Sequence, residues 1–143
     1  MLFGKRERSI KRILIAEDEP LVAFDNEHSL RDAGYEVVAT VDTVNAAIAE
    51  IGGGRVDLVL ADVNLSDGGN GRDVARAAKD RNIPLVFVTG ACPDDARSLA
   101  FGCLAKPYSQ RDLLSAIEAV EATIAGRKPK RVPRSFTLFG QAQ

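Results

Sequence analysis

The sequence predicts an α/β domain built on an open, doubly wound parallel sheet of five strands with helices on both faces. Three observations predict it. Short apolar runs alternate with helical stretches along the chain. The runs are continuously apolar rather than alternating, as in strands buried on both sides. Each run stops at polar or charged residues, the pattern of a sheet whose site lies at the carboxyl ends of its strands. Five such units lie between residues 11 and 126, too few for an eight-fold barrel.

The first strand is read at Ile13-Leu14-Ile15-Ala16, ending in acids. Pro20 suits the first turn of a helix, and Leu21, Phe24, Leu30 and Ala33 give it an apolar stripe before Gly34 stops it. Glu36 to Ala39 reads as the second strand. Thr43 can cap a helix carrying Ala46, Ala47, Ile48 and Ile51, closed by three glycines at 52–54. No Gly-Lys-Ser/Thr follows those glycines, so they are not a nucleotide loop. Val56 to Val63 is the most apolar strand, and Gly71 to Arg81 carries the next helix. Pro84 to Val88 is the fourth strand, ending at Thr89-Gly90. Pro93-Asp94-Asp95 opens a short helix with acids in its first turn. Cys103-Leu104-Ala105 is the fifth strand, ending at Lys106-Pro107. The last helix runs from Gln110 to Ala125 with Leu113, Leu114, Ile117, Val120 and Ile124 on one side.

Composition bounds the function classes. The 143 residues are 45% hydrophobic and 27% charged, ordinary for one globular domain. No apolar run approaches a membrane span, and the charged start lacks the core of a signal peptide, so the expected location is the cytoplasm. Cys92 and Cys103 have no metal-type spacing and are expected to be reduced thiols there. Between residues 13 and 125, nine Lys or Arg stand against 19 Asp or Glu, a balance of −10. An acidic body argues against DNA as a partner. The cations cluster at the two ends, and residues 1–10 and 127–143 are expected to be basic extensions beyond the domain.

The strand ends carry the chemistry. Glu17-Asp18, Asp62, Thr89 and Lys106 would meet on one rim of the sheet. Three carboxylates together are unfavourable, because like charges oppose each other's ionisation. A divalent cation with a preference for oxygen ligands removes that cost, and Mg²⁺ keeps positions open for phosphate oxygens. Thr89 and Lys106 would then be a hydroxyl and a charge aimed at a phosphoryl group. Asp62 is the natural nucleophile, since a carboxylate can carry a phosphoryl group covalently. His28, among Glu27, Ser29 and Arg31, is read as a surface residue.

The four motifs "ILIAEDEP", "LVLADVNL", "VFVTG" and "LAKPY", in order and in register, resemble the receiver domain of two-component response regulators over residues 11–126. The resemblance implies a flavodoxin-like (βα)5 fold with Asp62 as phosphoacceptor. It implies direct Mg²⁺ ligation by Asp18, Asp62 and the backbone carbonyl of Asn64, with Glu17 acting through water. Thr89 corresponds to the family's hydroxyl and Lys106 to its lysine, with a cis Lys106–Pro107 bond. The sequence departs from the family at three points. Ser66 replaces a proline four residues past the acceptor. Gly71 comes one residue late, so the loop "NLSDGGNG" is expected to carry an insertion and to be mobile. Cys103 stands at the switch position, where an aromatic is usual, and this resembles a stand-alone subfamily linked to histidine kinases.

The implied function is therefore a stand-alone receiver, a monomer or weak dimer. It would accept a phosphoryl group from a histidine kinase or a histidine phosphotransfer protein. It would signal through protein contacts on the last two helices and the strand between them, or drain phosphate from a kinase. It is expected not to be a turnover enzyme, and no output domain is expected in the residues after the last helix. The alternative is a pseudo-receiver, an interaction module working without phosphorylation. A phosphohydrolase would want a second acid two residues after the nucleophile, where Asn64 stands.

Overall fold

The computed structural model describes residues 8–140. The elements follow in order: β1 (Arg12–Ala16), α1 (Pro20–Asp32), β2 (Glu36–Val41), α2 (Val44–Gly52), β3 (Leu58–Ala61), α3 (Gly71–Asp80), β4 (Leu85–Thr89), α4 (Ala96–Leu99), β5 (Gly102–Ala105), α5 (Gln110–Ile124) and β6 (Phe136–Leu138). The sheet order is β2-β1-β3-β4-β5-β6. The first five strands are parallel neighbours and β6 runs antiparallel to β5.

Because β1, β3 and β4 are buried along almost their whole length, each feeds two cores. Ile13, Ile15, Leu58, Leu60, Val86 and Val88 face α1 and α5, with Leu30, Leu113, Ile117 and Val120. Leu14, Val59, Ala61, Leu85 and Phe87 face α2 and α3, with Ala47, Ile51, Val74 and Ala78. This two-sided burial is why the strand sequences are continuously apolar. Three helices are capped as their sequences require: Thr43, Asn70 and Ser109 accept from the backbone N–H of Ala46, Arg72 and Asp112.

Only half of the apolar stripe read on α1 faces the core: Leu30 and Ala33 do, Leu21 and Phe24 do not. Leu21 is 80% exposed and Phe24 65%, and the buried residues of α1 are Ala23, Asn26 and Leu30. Asn26 is inside because its amide donates to the Tyr108 hydroxyl at 2.8 Å and receives that hydroxyl's proton at 3.1 Å. A buried polar pair rotates the helix away from the orientation that hydrophobicity alone predicts. Ile48 on α2 and Ile124 on α5 are likewise partly exposed.

Two further expectations are corrected. The cysteines are not reduced thiols: Cys92 and Cys103 form a disulfide with a Cα–Cα separation of 6.2 Å. Their spacing in the chain gave no sign of it, because β5 brings them together only when it pairs beside β4. In the chain-entropy account, closing a short loop of this kind stabilises the fold by about 3 kcal/mol. Second, the segment after α5 is not all a tail beyond the domain. Residues 136–138 add the sixth strand, pairing Leu104 with Phe136 and Gly102 with Leu138. Phe136 is 4% exposed in the α1/α5-side core, and Phe139 packs against the opposite core, so the segment clasps the β5 edge from both faces. Gly102 makes this possible: a Cβ there would stand 2.5 Å from the Phe136 ring. Arg131 secures the approach by donating to Asp112 at 2.9 Å and Ser115 at 2.7 Å.

Removing the Phe136 ring leaves a hole between β5 and α5. Phe136→Ala is expected to lower the unfolding free energy by about 3 kcal/mol, read as a lower urea midpoint with an unchanged slope. A midpoint within error of wild type would show that β6 adds nothing to the fold.

Candidate functional site

The site is assembled by the last rungs of the parallel ladders. Asp62 N–H donates to Ala16 O at 2.9 Å, and Lys106 N–H donates to Thr89 O at 2.8 Å. Ala16 is level with Ala61, and Thr89 with Ala105. The residues just past these pairs therefore come out side by side on one rim, as in other open α/β sheets. Glu17 is 4% exposed, Asp62 7% and Thr89 3%, so three polar side chains are carried into the edge of the core by apolar strands. The Lys106–Pro107 bond is cis, as the resemblance implies.

Oxygens of Glu17, Asp18 and Asp62 lie within 4.8 Å of one another. The Lys106 ammonium stands among the carboxylates, 3.0 Å from Glu17 Oε1 and 2.9 Å from Asp62 Oδ2. It also contacts the carboxylate of Glu19. Sequence reasoning missed Glu19; the only signal was a third acid in the "EDEP" turn. Its backbone N–H donates to Glu17 Oε2 at 3.0 Å, so the turn into α1 orients the buried acid.

Four carboxylates share one ammonium in this cluster. Burial raises the pKa of Glu17, and the Glu19 N–H and Lys106 oppose the rise without cancelling it. Burial alone would lower the pKa of Lys106, but its hydrogen bonds to Glu19, Asp62 and Glu17 outweigh it, so the lysine stays protonated. The oxygen-only donor set, tightly grouped and partly desolvated, suits a hard divalent cation such as Mg²⁺.

The loop after Asp62 is anchored rather than loose, contrary to the expectation of mobility. Asn64 N–H donates back to Asp62 Oδ1 at 3.2 Å, and Ser66 N–H to Asp42 O at 2.9 Å. Asp67, another residue sequence reasoning missed, accepts from Val44 N–H at 3.1 Å and so caps α2 while pinning the loop. The loop closes at Gly71, whose N–H donates to Val63 O at 2.6 Å. A Cβ at Gly71 would lie 2.2 Å from Asp62 O. Only glycine lets α3 start this close to the strand that carries Asp62. Cys103, expected at the switch position, is fully buried beside Phe87 and has no free thiol.

A sequence model of the "Response regulator receiver domain" matches residues 13–118. The chain belongs to the response regulator receiver family. Over 113 residues it is 34% identical to "Transcriptional regulatory protein PdtaR" of Mycobacterium tuberculosis, covering 76% of this chain and 55% of that protein. It is 37% identical over 79 residues to "Phyllosphere-induced regulator PhyR" of Methylorubrum extorquens, covering 54% of this chain and 30% of that one. The receiver thus spans about half, or less, of these curated relatives. The solution structure of SdrG from Sphingomonas melonis Fr1 superposes with a TM-score of 0.69 at 36% identity, covering 79% of this chain and 98% of that one. The receiver domain protein (CheY-like) from Methanospirillum hungatei JF-1 superposes with a TM-score of 0.68 at 30% identity, covering 76% of this chain and 90% of that one, which bears out the α/β flavodoxin-like fold; the sixth strand is an addition to the five expected. Receivers are signalling modules of two-component systems, and Mg²⁺ binding at an acidic pocket is typical of them. Among the described residues, no helix is long and apolar enough to cross a membrane.

Since burial lifts the folded pKa of Glu17 above its ordinary 4.5, the fold favours the protonated acid. That contribution is present at low pH and is lost as pH rises from about 4.5 through the folded value. In EDTA, Glu17→Gln should therefore gain stability relative to wild type on going from pH 4 to about pH 7. Urea titrations at both pH values read the difference; a gap that stays constant with pH contradicts the assignment.

Proposed function

We propose that this chain is a phosphoryl-accepting receiver in which Asp62 is the nucleophile, working as a stand-alone module. One observation carries the reading: Asp62, Glu17, Asp18 and Lys106 converge at the carboxyl edge of the sheet with Thr89 at the end of the neighbouring strand. The alignment with SdrG, over 79% of this chain, supports the receiver reading. Asp18, Asp62 and the Asn64 carbonyl would hold Mg²⁺, with Glu17 reaching it through water. When bound, the ion supplies the charge neutralisation that lets a phosphate dianion approach a carboxylate cluster.

The chain's own residues do the rest. An Asp62 carboxylate oxygen forms the new O–P bond while the N–P bond of a phosphohistidine breaks, and the donor imidazole takes up a proton. Lys106, already at hydrogen-bond distance from Asp62, donates to a phosphoryl oxygen. The Thr89 hydroxyl donates to another oxygen and thereby reports phosphorylation to the segment that follows β4. The donor is a histidine kinase or a histidine phosphotransfer protein. The phosphoryl state is read through protein contacts or serves as a phosphate sink, in the cytoplasm.

Intact-mass measurement with acetyl phosphate and Mg²⁺ tests this. Wild type is expected to gain one phosphoryl group, and Asp62→Asn or EDTA to abolish the gain. Equal labelling of wild type and Asp62→Asn would overturn the assignment and leave a pseudo-receiver as the reading. With Mg²⁺ present to balance the carboxylates, Lys106→Ala is expected to stay folded but to be phosphorylated about tenfold or more slowly, the loss of one charge-assisted hydrogen bond of roughly 1.5–3 kcal/mol. Unchanged labelling kinetics would remove the lysine from the site.

A further inference from the structure

We propose that Cys92 and Cys103 are a thiol–disulfide switch that sets the freedom of residues 90–101, the segment immediately downstream of Thr89. The site lies outside the carboxylate cluster, and it regulates that cluster's output rather than its chemistry. Its consequence for signalling rests on the phosphoacceptor reading above; the redox site itself does not.

The two ends of the bridge are unlike. Cys103 is fully buried in β5, level with Phe87 of β4 and Thr137 of β6, so its position is fixed by the sheet. Cys92 lies on the exposed loop that leaves β4, three residues after Thr89. The bridge therefore ties the start of a surface segment to a fully buried position in the sheet. At the leading end of the segment little else does so. The helix inside the segment, α4, is only four residues long, with no side-chain cap. Its apolar anchors are Ala96 and Ala100, with Leu99 half-buried against the core, and the far end of the segment is held by Phe101, which is buried and whose N–H donates to Leu85 O at 2.8 Å. The remaining contacts lie at the surface: Arg72 to Asp95 at 3.0 Å, the Lys79 ammonium to Ser98 O at 2.9 Å, and Arg97 over the Phe139 ring at 5.1 Å. Surface contacts of this kind hold weakly, so the covalent tie is the main restraint on the leading part of the segment, ahead of Leu99 and Phe101.

The asymmetry also fixes the route of reduction. A dithiol reductant attacks as thiolate at the exposed Cys92 sulfur, forming a mixed disulfide, while Cys103 leaves as a thiolate and takes a proton. The reductant's second thiol then displaces Cys92, which is released as a thiol. The bridge gains two electrons and two protons, and the dithiol is oxidised to its own disulfide. The reduced Cys103 is small and apolar enough to remain in its core position, so the sheet persists while the loop is freed. In the cytoplasm, where the proposed function places the protein, thiols are kept reduced and a disulfide is typically transient or redox-sensing. In the oxidised state, movement of Thr89 toward a phosphoryl group is stopped three residues on. In the reduced state it can propagate into α4.

The test compares oxidised protein, protein reduced with dithiothreitol, and Cys92→Ser, which removes the exposed partner and leaves the core residue in place. Alkylation and intact mass must report no thiol in the oxidised form and two in the reduced form; a bridge that resists dithiothreitol in the folded protein overturns the proposal. Without any phosphodonor, amide exchange of residues 90–101 is expected to rise about tenfold or more in the reduced protein and in Cys92→Ser. Exchange in β3 and α5 should stay unchanged. Equal exchange of 90–101 in oxidised and reduced protein overturns the proposal. Adding beryllofluoride is then expected to change exchange of 90–101 in the reduced form and not in the oxidised form. The same response in both forms overturns the coupling. Absence of any response, together with no labelling by acetyl phosphate, overturns the phosphoacceptor reading, while the exchange comparison without donor still decides the switch.

Discussion

Five charged side chains share one rim of the sheet, and the fold tolerates them because one of them has the opposite sign. The Lys106 ammonium lies within hydrogen-bond distance of Asp62 and Glu17 and contacts Glu19 as well. Without it, a buried Glu17 beside Asp62 would meet both desolvation and like-charge repulsion. The lysine is held in turn by the last rung between β4 and β5 and by the turn at Pro107. Tyr108 follows directly and locks onto Asn26 of α1. The turn after β1, the start of α1 and the loop after β5 are thus one electrostatic and hydrogen-bonded unit. A change of charge at Asp62 acts on all of them together.

The β5 edge is the second place where the molecule departs from a bare five-stranded receiver. Strand β6 covers the edge, and Phe136 and Phe139 grip it from both faces. An open edge strand exposes unpaired backbone groups that invite pairing with other chains. Here three residues of the same chain satisfy them. The same strand carries Cys103, whose bridge to Cys92 restrains the loop after β4. The surface that a receiver of this family would use for output is therefore shaped by two features absent from the family motifs: an added strand and a covalent tie.

Much of the fold was legible because parallel strands buried on both faces leave an unmistakable record. Runs such as Leu58-Val59-Leu60-Ala61 and Leu85-Val86-Phe87-Val88 are apolar at every position, and their abrupt polar ends mark the functional rim. Glu17, Asp18, Asp62, Thr89 and Lys106 could each be placed at a strand end from the apolar runs, and the structure groups Glu17, Asp18, Asp62 and Lys106. The orientation of α1 was not legible, because Asn26 is buried by a partner 82 residues away and no local pattern announces it. The order in the loop at 64–70 was not legible either, since it depends on Asp67 reaching the amino end of α2 and on Gly71 meeting the backbone of Asp62.

The sequence by itself determined the periodicities, and hence the five strand–helix units, the doubly wound sheet and the set of polar residues at the strand ends. These follow from local chemistry: burial on two sides demands apolar runs, and helix starts demand caps such as Thr43, Asn70 and Ser109. Only the tertiary structure decided that Phe136–Leu138 is a sixth strand, that Cys92 meets Cys103, and that Glu19 joins the lysine cluster. Each of these is a contact between segments whose own composition is neutral to it. A three-residue strand has too little pattern to be recognised until β5 offers an edge. Two cysteines eleven residues apart become a pair only when the β4–β5 register sets them 6.2 Å apart.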